Sequence, residues 1–299
     1  MQEDEFTLVQ GEKVVMGSLR VLVGWMNDAE ATRLLLGRQP LPTDDLIQIQ
    51  QKIKDCQTTV AARPVWKPIN PMREIDHTIA AALKARPDIQ AAFASLQWEP
   101  ALVDLRQVLS YQQIINMDGL EDRVASVPDN LEELVKFCLP INEPLNQLGG
   151  FVDPDQKGIT ISSLNPNLRI HNALMHDTEV PPGPGLAPVR VKAVTFFIGL
   201  GTSYLQVGKY NNRYFIRDGY HRATGLLKKG IHIAPCILID ARNTEELGLK
   251  QGMFTYEVLY GERTPRLADF WDDTVAANGK NIAIRRVLRL RGEEFNVQR

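Results

Sequence analysis

The chain has 299 residues, of which 44% are hydrophobic and 23% are charged, proportions typical of a globular protein with one large domain or two modest ones. A formal net charge of -2 excludes the excess positive field that draws nucleic acid or acidic membranes over long distances. The three cysteines lie far apart, without zinc or dithiol spacing, which predicts buried, reduced thiols. The acidic N terminus and the absence of an apolar run long enough to cross a bilayer predict a cytoplasmic protein without membrane contact.

The first hundred residues are predicted to be mainly helical, and a strand and one more helix are predicted between them and residue 140. Asn27 and Glu30 mark a helix start, and Gly37 supplies its stop. Apolar residues three or four apart predict further helices, and the last of these is capped at Asn130. The predicted elements here are strands within Lys13 to Trp25 and Leu102 to Ile115, and helices within 28–36, 43–63, 74–85, 87–96 and 131–139.

From Pro140 to Pro188 the chain is dense in turn formers and ends in Pro181-Pro182-Gly183-Pro184-Gly185. This composition predicts a long loop or flap with one strand at Ile159 to Ser163. His171 and His176, with two carboxylates nearby, have the chemistry of metal ligands. Their five-residue spacing, in a stretch without a helical pattern, favours a solvated loop.

Regular patterns return at Val191, and the residues up to Asp240 are predicted to form a hairpin, a tight turn and a helix. Val191 to Ile198 is apolar enough to predict a buried strand. Strand patterns on both sides of Asn211-Asn212 predict a β-hairpin with a short polar turn. A helix from Tyr220, ended by Gly230, precedes another strand at Ala234 to Ile239.

The last 60 residues predict a helix near 244–249, a segment at 266–277 and a basic C-terminal strand at 282–290. The arginines of this strand alternate with apolar residues, which favours an edge strand protected by charge over a nucleic-acid site. The middle segment carries carboxylates that would approach a ligand if the segment folds over a cleft: Asp269, Asp272 and Asp273.

The strongest functional signal is the turn Asp218-Gly219-Tyr220-His221-Arg222, between a predicted strand and a predicted helix. The first amides of a helix and its dipole attract anions, and Gly219 lets the backbone approach closely. Arg222 adds a charged planar fork suited to phosphate oxygens. His221 is able to move a proton near neutral pH, and Asp218 to hold a metal ion or accept a hydroxyl proton. Helix capping by Asp218, with solvated His221 and Arg222, is the structural alternative, but the clustering of all five residues favours a ligand site.

These residues resemble the ParB/sulfiredoxin superfamily, whose members share a strand, a Gly-x-x-Arg turn, a helix ending in glycine and a following strand. In that family the turn holds nucleotide phosphates, so the resemblance implies phosphate or nucleotide contacts from Gly219, Tyr220, His221 and Arg222. An upstream segment, from Val103 to Gln113, is similar to the opening strand and polar loop of the family. The matching pieces of the main motif are 214–223, 226–230 and 233–237.

Two branches of the superfamily fit poorly. Sulfiredoxins carry a reactive cysteine where Tyr220 stands, and the chromosome-partitioning proteins carry Glu-Arg-Arg after the glycine and a helix-turn-helix domain behind it. The Asp-Gly-x-His-Arg form looks most like the free serine kinases. That likeness implies ATP or another nucleotide and Mg²⁺ as cofactors, catalytic roles for Asp218 and His221, and phosphoryl transfer to a small hydroxyl substrate. Two rival functions stay open, namely a nucleic-acid-associated nuclease or DNA-binding regulator, and a non-catalytic interaction protein.

The predicted fold class is α+β. A mainly helical region is expected at residues 1–100, and a compact ParB/sulfiredoxin-like domain with a mixed sheet at residues 101–299. The Pro/Gly-rich stretch near 140–188 is expected as an insertion in the second of these.

Overall fold

The chain forms two compact units, residues 1–140 with 203–283 and residues 141–202 with 284–299. The helices of the first hundred residues and the turn at Gly219 belong to the same unit. A computed structural model describes residues 16–37, 43–127, 130–141, 148–152, 158–163, 167–180, 183, 187–201, 203–250, 252–282 and 286–292.

Side-chain caps fix where several helices begin. Asn27 accepts a hydrogen bond from the Glu30 amide, and Asn130 caps a later helix in the same way, as predicted. The helix predicted from residue 74 begins instead at His77, because the Asp76 side chain caps it there. The helices are α1 Asp28–Leu36, α2 Thr43–Ala62, α3 His77–Ala85, α4 Pro87–Ala92, α5 Leu120–Ala125, α6 Leu131–Cys138, α7 Tyr220–Lys228, α8 Thr244–Leu247 and α9 Tyr256–Leu259.

The strands build four sheets within the described residues, in the orders β12-β1-β4, β10-β9-β11-β3-β2, β13-β6-β5 and β7-β8. With roughly equal helix and strand content, the molecule is an α+β protein, as predicted. The strands are β1 Met16–Val21, β2 Met72–Arg73, β3 Trp98–Asp104, β4 Ile114–Asn116, β5 Gly149–Val152, β6 Gly158–Ser163, β7 Leu168–Val180, β8 Val189–Leu200, β9 Gln206–Tyr210, β10 Arg213–Asp218, β11 Ile233–Asp240, β12 Ala277–Ile282 and β13 Arg286–Arg291.

The five-stranded sheet positions the candidate site. It is mixed, because β9 and β11 run parallel while the other neighbouring pairs are antiparallel. Asn211 and Asn212 adopt φ angles of 49° and 57°, the left-handed values of a two-residue hairpin turn. The predicted hairpin is thus confirmed as β9 and β10. At the far end of β10 the chain enters α7, which returns it to β11.

The stretch from Pro140 to Pro188 is not the long loop that its composition predicts. It contains β5, β6 and the 13-residue strand β7, and only β6 matches the strand expected at Ile159 to Ser163. His171 and His176 therefore lie in a strand, with exposed side chains. No group of three or more metal-ligating side chains occurs among the described residues.

The strand expected from Val191 is also placed differently. It forms part of β8, which pairs only with β7 among the described residues and is largely exposed. The hairpin that leads into the turn therefore begins with β9 at Gln206 rather than at Val191. The C-terminal β13 lies at the edge of its sheet, beside β6, which confirms the predicted edge strand for the residues described.

Candidate functional site: the turn before α7

The turn leaves β10 at the edge of the mixed sheet and opens α7. Gly219 has a φ of 83°, in the left-handed region that favours glycine. A Cβ atom on Gly219 would lie 2.9 Å from the Cα atom of Leu205 and 3.3 Å from the carbonyl oxygen of Tyr204. Both the backbone conformation and the close approach of residues 204 and 205 therefore require glycine at this position.

The Tyr220 side chain points into the core and anchors a neighbouring loop. Its hydroxyl oxygen accepts hydrogen bonds from the amides of Tyr111 at 3.1 Å and Gln112 at 3.3 Å. The Tyr111 hydroxyl in turn donates to the carbonyl oxygen of Arg217 at 2.6 Å. Burial raises the pKa of both phenols, so they stay neutral. Of Tyr220, only the backbone amide is placed to meet a ligand.

The first amides of α7 differ in their partners. The Gly219 amide donates to Asp218 Oδ1 at 2.7 Å, and the Ala223 amide closes the first helical turn on the Gly219 carbonyl at 2.9 Å. The amides of Tyr220 and His221 have no acceptor within the described part of the chain. Two donors at the positive end of a helix are thus left for a ligand or for water.

Arg222 is a buried cation in the first turn of α7. Its residue is only 5% exposed, and Nη1 donates to the carbonyl oxygen of Ser203. The guanidinium carbon lies 5.9 Å from the centre of the Phe137 ring. The permanent charge is therefore held in a fixed position between the end of α6 and the segment that precedes β9.

His221 sits half-buried in a positive electrostatic environment. Burial, together with the charges of Arg123 and Arg222, lowers its pKa to about 4, and the hydrogen bond to the backbone of Asn116 acts in the opposite direction. The imidazole is therefore neutral at pH 7. Because cations disfavour its protonation, an anion bound among them would raise this pKa.

Arg123 reaches His221 because α5 packs tightly on α7. A Cβ atom on Gly225 would lie 2.6 Å from Val124 Cγ1, so glycine permits this approach. Lys229 Nζ also donates to the carbonyl oxygens of Val124 and Ala125, both at 2.9 Å. Arg123 stands about one hundred residues before the turn, and no local pattern in the sequence singles it out.

Comparisons with protein-family models, with curated proteins and with solved structures find no match. The ParB/sulfiredoxin resemblance therefore stays a prediction carried by the motif. Among the described residues, no helix is long and apolar enough to cross a membrane.

The upstream segment from Val103 to Gln113 lies close to the turn. Strand β3, which includes Val103, pairs with β11 directly after α7. The loop that follows β3 carries the Tyr111 and Gln112 amides bound by Tyr220. Sequence spacing alone did not predict that this loop and the turn are joined by buried hydrogen bonds.

The three carboxylates near residue 270 form ion pairs with arginines and do not line the turn. Arg63 bridges Asp269 at 2.9 Å and Asp272 at 2.7 Å, and Arg20 binds Asp273 at 2.8 Å. Their segment does pack on α7, because Trp271 Nε1 donates to the Thr224 carbonyl at 3.0 Å. That contact lies in the second turn of the helix, so the segment supports α7 rather than supplying ligands at its start.

Proposed function

We propose that the protein binds the phosphate group of a nucleotide at the amino end of α7. The observation that carries the proposal is the pair of first-turn amides, on Tyr220 and His221, that have no acceptor within the described residues. They lie beside a buried first-turn cation, Arg222. Amide donors and a guanidinium together are a recurrent arrangement for phosphate oxygens.

The close approach at Gly219 makes this geometry rigid. The turn packs against the backbone of Leu205, which limits the conformations open to its amides. A preorganised site loses less conformational freedom on binding than a flexible loop does. The buried hydrogen bonds of Tyr220 hold the same turn from its other side.

Phosphoryl transfer from ATP to a small hydroxyl substrate is the reaction we propose for this site. Asp218 is exposed at the end of β10, where the turn begins, and its Oδ2 atom has no partner in the described part of the chain. The carboxylate is thus placed to accept the proton of a substrate hydroxyl. His221, neutral at pH 7, is able to donate a hydrogen bond to a phosphate oxygen.

Mg²⁺ fits this donor set. The ion commonly takes one or two carboxylates together with substrate phosphates and water, and Asp218 supplies a carboxylate next to the proposed phosphate position. When bound, the ion would neutralise phosphate charge that Asp218 would otherwise repel. The amides and Arg222 would hold the phosphate in either case.

The test is a thermal-unfolding screen with ATP, CTP, GTP and inorganic phosphate, each with and without Mg²⁺. A ligand at one hundred times its dissociation constant stabilises the folded state by about 2.7 kcal/mol. For a chain of this length that corresponds to a rise in melting temperature of roughly 5 °C. At least one nucleotide should produce such a rise in the wild type and fail to do so in Arg222→Ala.

A matched control separates lost binding from lost stability. Arg63→Ala removes an arginine that is half-buried and pairs with Asp269 and Asp272, away from the proposed site. This variant should have a lower melting temperature and keep the ligand-induced rise. A rise of equal size in Arg222→Ala contradicts the proposed site. Steeply salt-dependent retention of DNA, without a nucleotide response, would favour the nucleic-acid function instead.

A further inference from the structure

A second arginine lies at the amino end of α7. Arg123 belongs to α5, and its side chain is exposed. Its positive charge lowers the pKa of His221, the second residue of α7, and does so more strongly than the charge of Arg222. Because the interaction between two charges weakens with distance and with access to water, the guanidinium of Arg123 must lie close to the imidazole. Two permanent cations are therefore held around the start of one helix.

The packing of α5 on α7 places this arginine there. His221 and Gly225 are one turn apart on the same face of α7. Gly225 faces α5, because a Cβ atom on it would lie 2.6 Å from Cγ1 of Val124, the next residue after the arginine. Glu121, on the same helix, forms an ion pair with Lys228 near the end of α7. Contacts along both helices thus fix the backbone from which the arginine side chain extends.

The two arginines differ in their surroundings. Arg222 is buried beside the ring of Phe137, and its Nη1 atom donates to the carbonyl oxygen of Ser203. Arg123 comes from another helix and faces solvent. A guanidinium has five N–H donors, so each arginine is able to bind a phosphate oxygen alongside its other contacts. Arg222 is placed to hold one phosphate group together with the helix amides, and Arg123 to meet a second group nearer to solvent.

Two cations at this position are unfavourable without an anion. The amino end of a helix carries the positive end of its dipole, which acidic residues stabilise and basic residues oppose. Helices α1, α5, α6 and α8 carry acidic residues in their first turn, whereas α7 has none there and no side-chain cap. Asp218 provides one carboxylate at the turn, against two arginines. A ligand with more than one negative group would offset this excess of positive charge.

We infer that Arg123 binds a second phosphate group of the ligand, so that the site at α7 selects diphosphates and triphosphates over monophosphates. The inference rests on the proposed function, in which the first amides of α7 and the guanidinium of Arg222 hold one phosphate. It adds the residue that distinguishes ligands by their number of phosphate groups. A hydrogen bond between two charged groups of this kind corresponds to about 10- to 100-fold in affinity.

Isothermal titration calorimetry of the full chain with AMP, ADP and ATP tests the inference. Mg²⁺ is left out, so that only the protein supplies cations to the phosphates. The wild type should bind ADP and ATP about 10- to 100-fold more tightly than AMP. Arg123→Gln should lose most of that preference and bind AMP with the affinity of the wild type.

Arg73→Gln is the matched control. Arg73 is an exposed arginine on β2, at the opposite edge of the five-stranded sheet from β10, and its replacement removes the same charge from the chain. This variant should keep the preference for ADP and ATP. Arg123→Lys keeps the charge and should retain part of the preference. Because Arg123 is exposed, both of its variants should unfold near the melting temperature of the wild type when no ligand is present.

The outcomes separate the inference from the proposed function. Equal losses of AMP, ADP and ATP binding in Arg123→Gln would place the arginine at the first phosphate, which overturns the inference and leaves the proposed function standing. An unchanged preference in Arg123→Gln, an equal reduction in Arg73→Gln, or a wild type without any preference would each overturn the inference in the same way. A wild type that binds none of the three nucleotides would contradict the proposed function and the inference together.

Discussion

Replacing Gly219 with alanine should lower the free energy of unfolding by about 2 to 4 kcal/mol. A left-handed backbone costs a residue with a Cβ atom about 1 kcal/mol relative to glycine. The added methyl group would meet the Leu205 Cα atom at 2.9 Å, and backbone cannot rotate aside as a flexible side chain does. Overpacking of this kind costs about 1 to 3 kcal/mol more. The loss is a large part of the roughly 5 to 15 kcal/mol that stabilises a typical domain.

Urea unfolding of two glycine variants measures this effect with an internal control. Gly230 has a φ of 85°, close to that of Gly219, and a Cβ atom there would meet nothing within 4 Å in the described residues. Gly230→Ala should therefore lose only the conformational part, about 1 kcal/mol. The difference between the two variants isolates the close approach to Leu205. Equal losses would refute the account of a turn pressed against the backbone of residues 204 and 205.

Three further predictions concern His221, Tyr220 and Arg63. The pKa of His221 is lowered to about 4 in the folded protein and is about 6.5 when unfolded, so the free energy of unfolding should fall by up to about 3 kcal/mol as the pH drops from 6.5 towards 4. In urea unfolding across this pH range, His221→Gln should lack that loss. A variant with the same pH dependence as the wild type would contradict the lowered pKa of His221. Tyr220→Phe leaves two buried loop amides without an acceptor and should cost about 1 to 3 kcal/mol in urea unfolding. The variant should keep the nucleotide-induced rise in melting temperature. Loss of that rise would show that the phenol itself contacts the ligand. Arg63→Gln leaves Asp269 buried without its cation and should cost about 3 kcal/mol in urea unfolding. Lys136→Gln loses only exposed ion pairs and should leave the free energy of unfolding nearly unchanged. Similar losses from both variants would contradict the role of Arg63 as the partner of a buried carboxylate.

Elements governed by local chemistry were predictable from the sequence. The hairpin at Asn211-Asn212 follows from residues that tolerate left-handed backbone, and α1 and α6 follow from their asparagine caps. The helix α7 ends at Lys228, two residues before the predicted stop at Gly230, which has a left-handed φ of 85°. In each case the residues that fix the structure are neighbours in the chain.

Burial by distant parts of the chain was not predictable in the same way. Val191 to Ile198 has the composition of a core strand, but an apolar run does not specify what covers it. Strand β7 was missed because the proline and glycine residues around it dominate the local pattern. Its pairing with β8 depends on cross-strand contacts, such as Asp177 with Lys192, that become visible only in three dimensions.

The residues of the candidate site also differ in whether the local sequence predicts them. Gly219 and Arg222 stand out locally, because a strand, a glycine and a helix start are adjacent in the sequence. Arg123 comes from a helix about one hundred residues earlier, and only the packing of α5 on α7 brings its charge to His221. The neutral state of His221 at pH 7 is a property of that packing and not of the motif.

The most direct test of the proposed phosphate site is an amide NMR titration of the full chain with ATP and Mg²⁺. The account predicts that the Tyr220 and His221 amide signals show the largest saturable shifts, because their N–H groups gain an acceptor. Over the same titration the pKa of His221 should rise from about 4. Saturable nucleotide binding that leaves both amide signals unmoved, or no binding at all, would contradict the central claim.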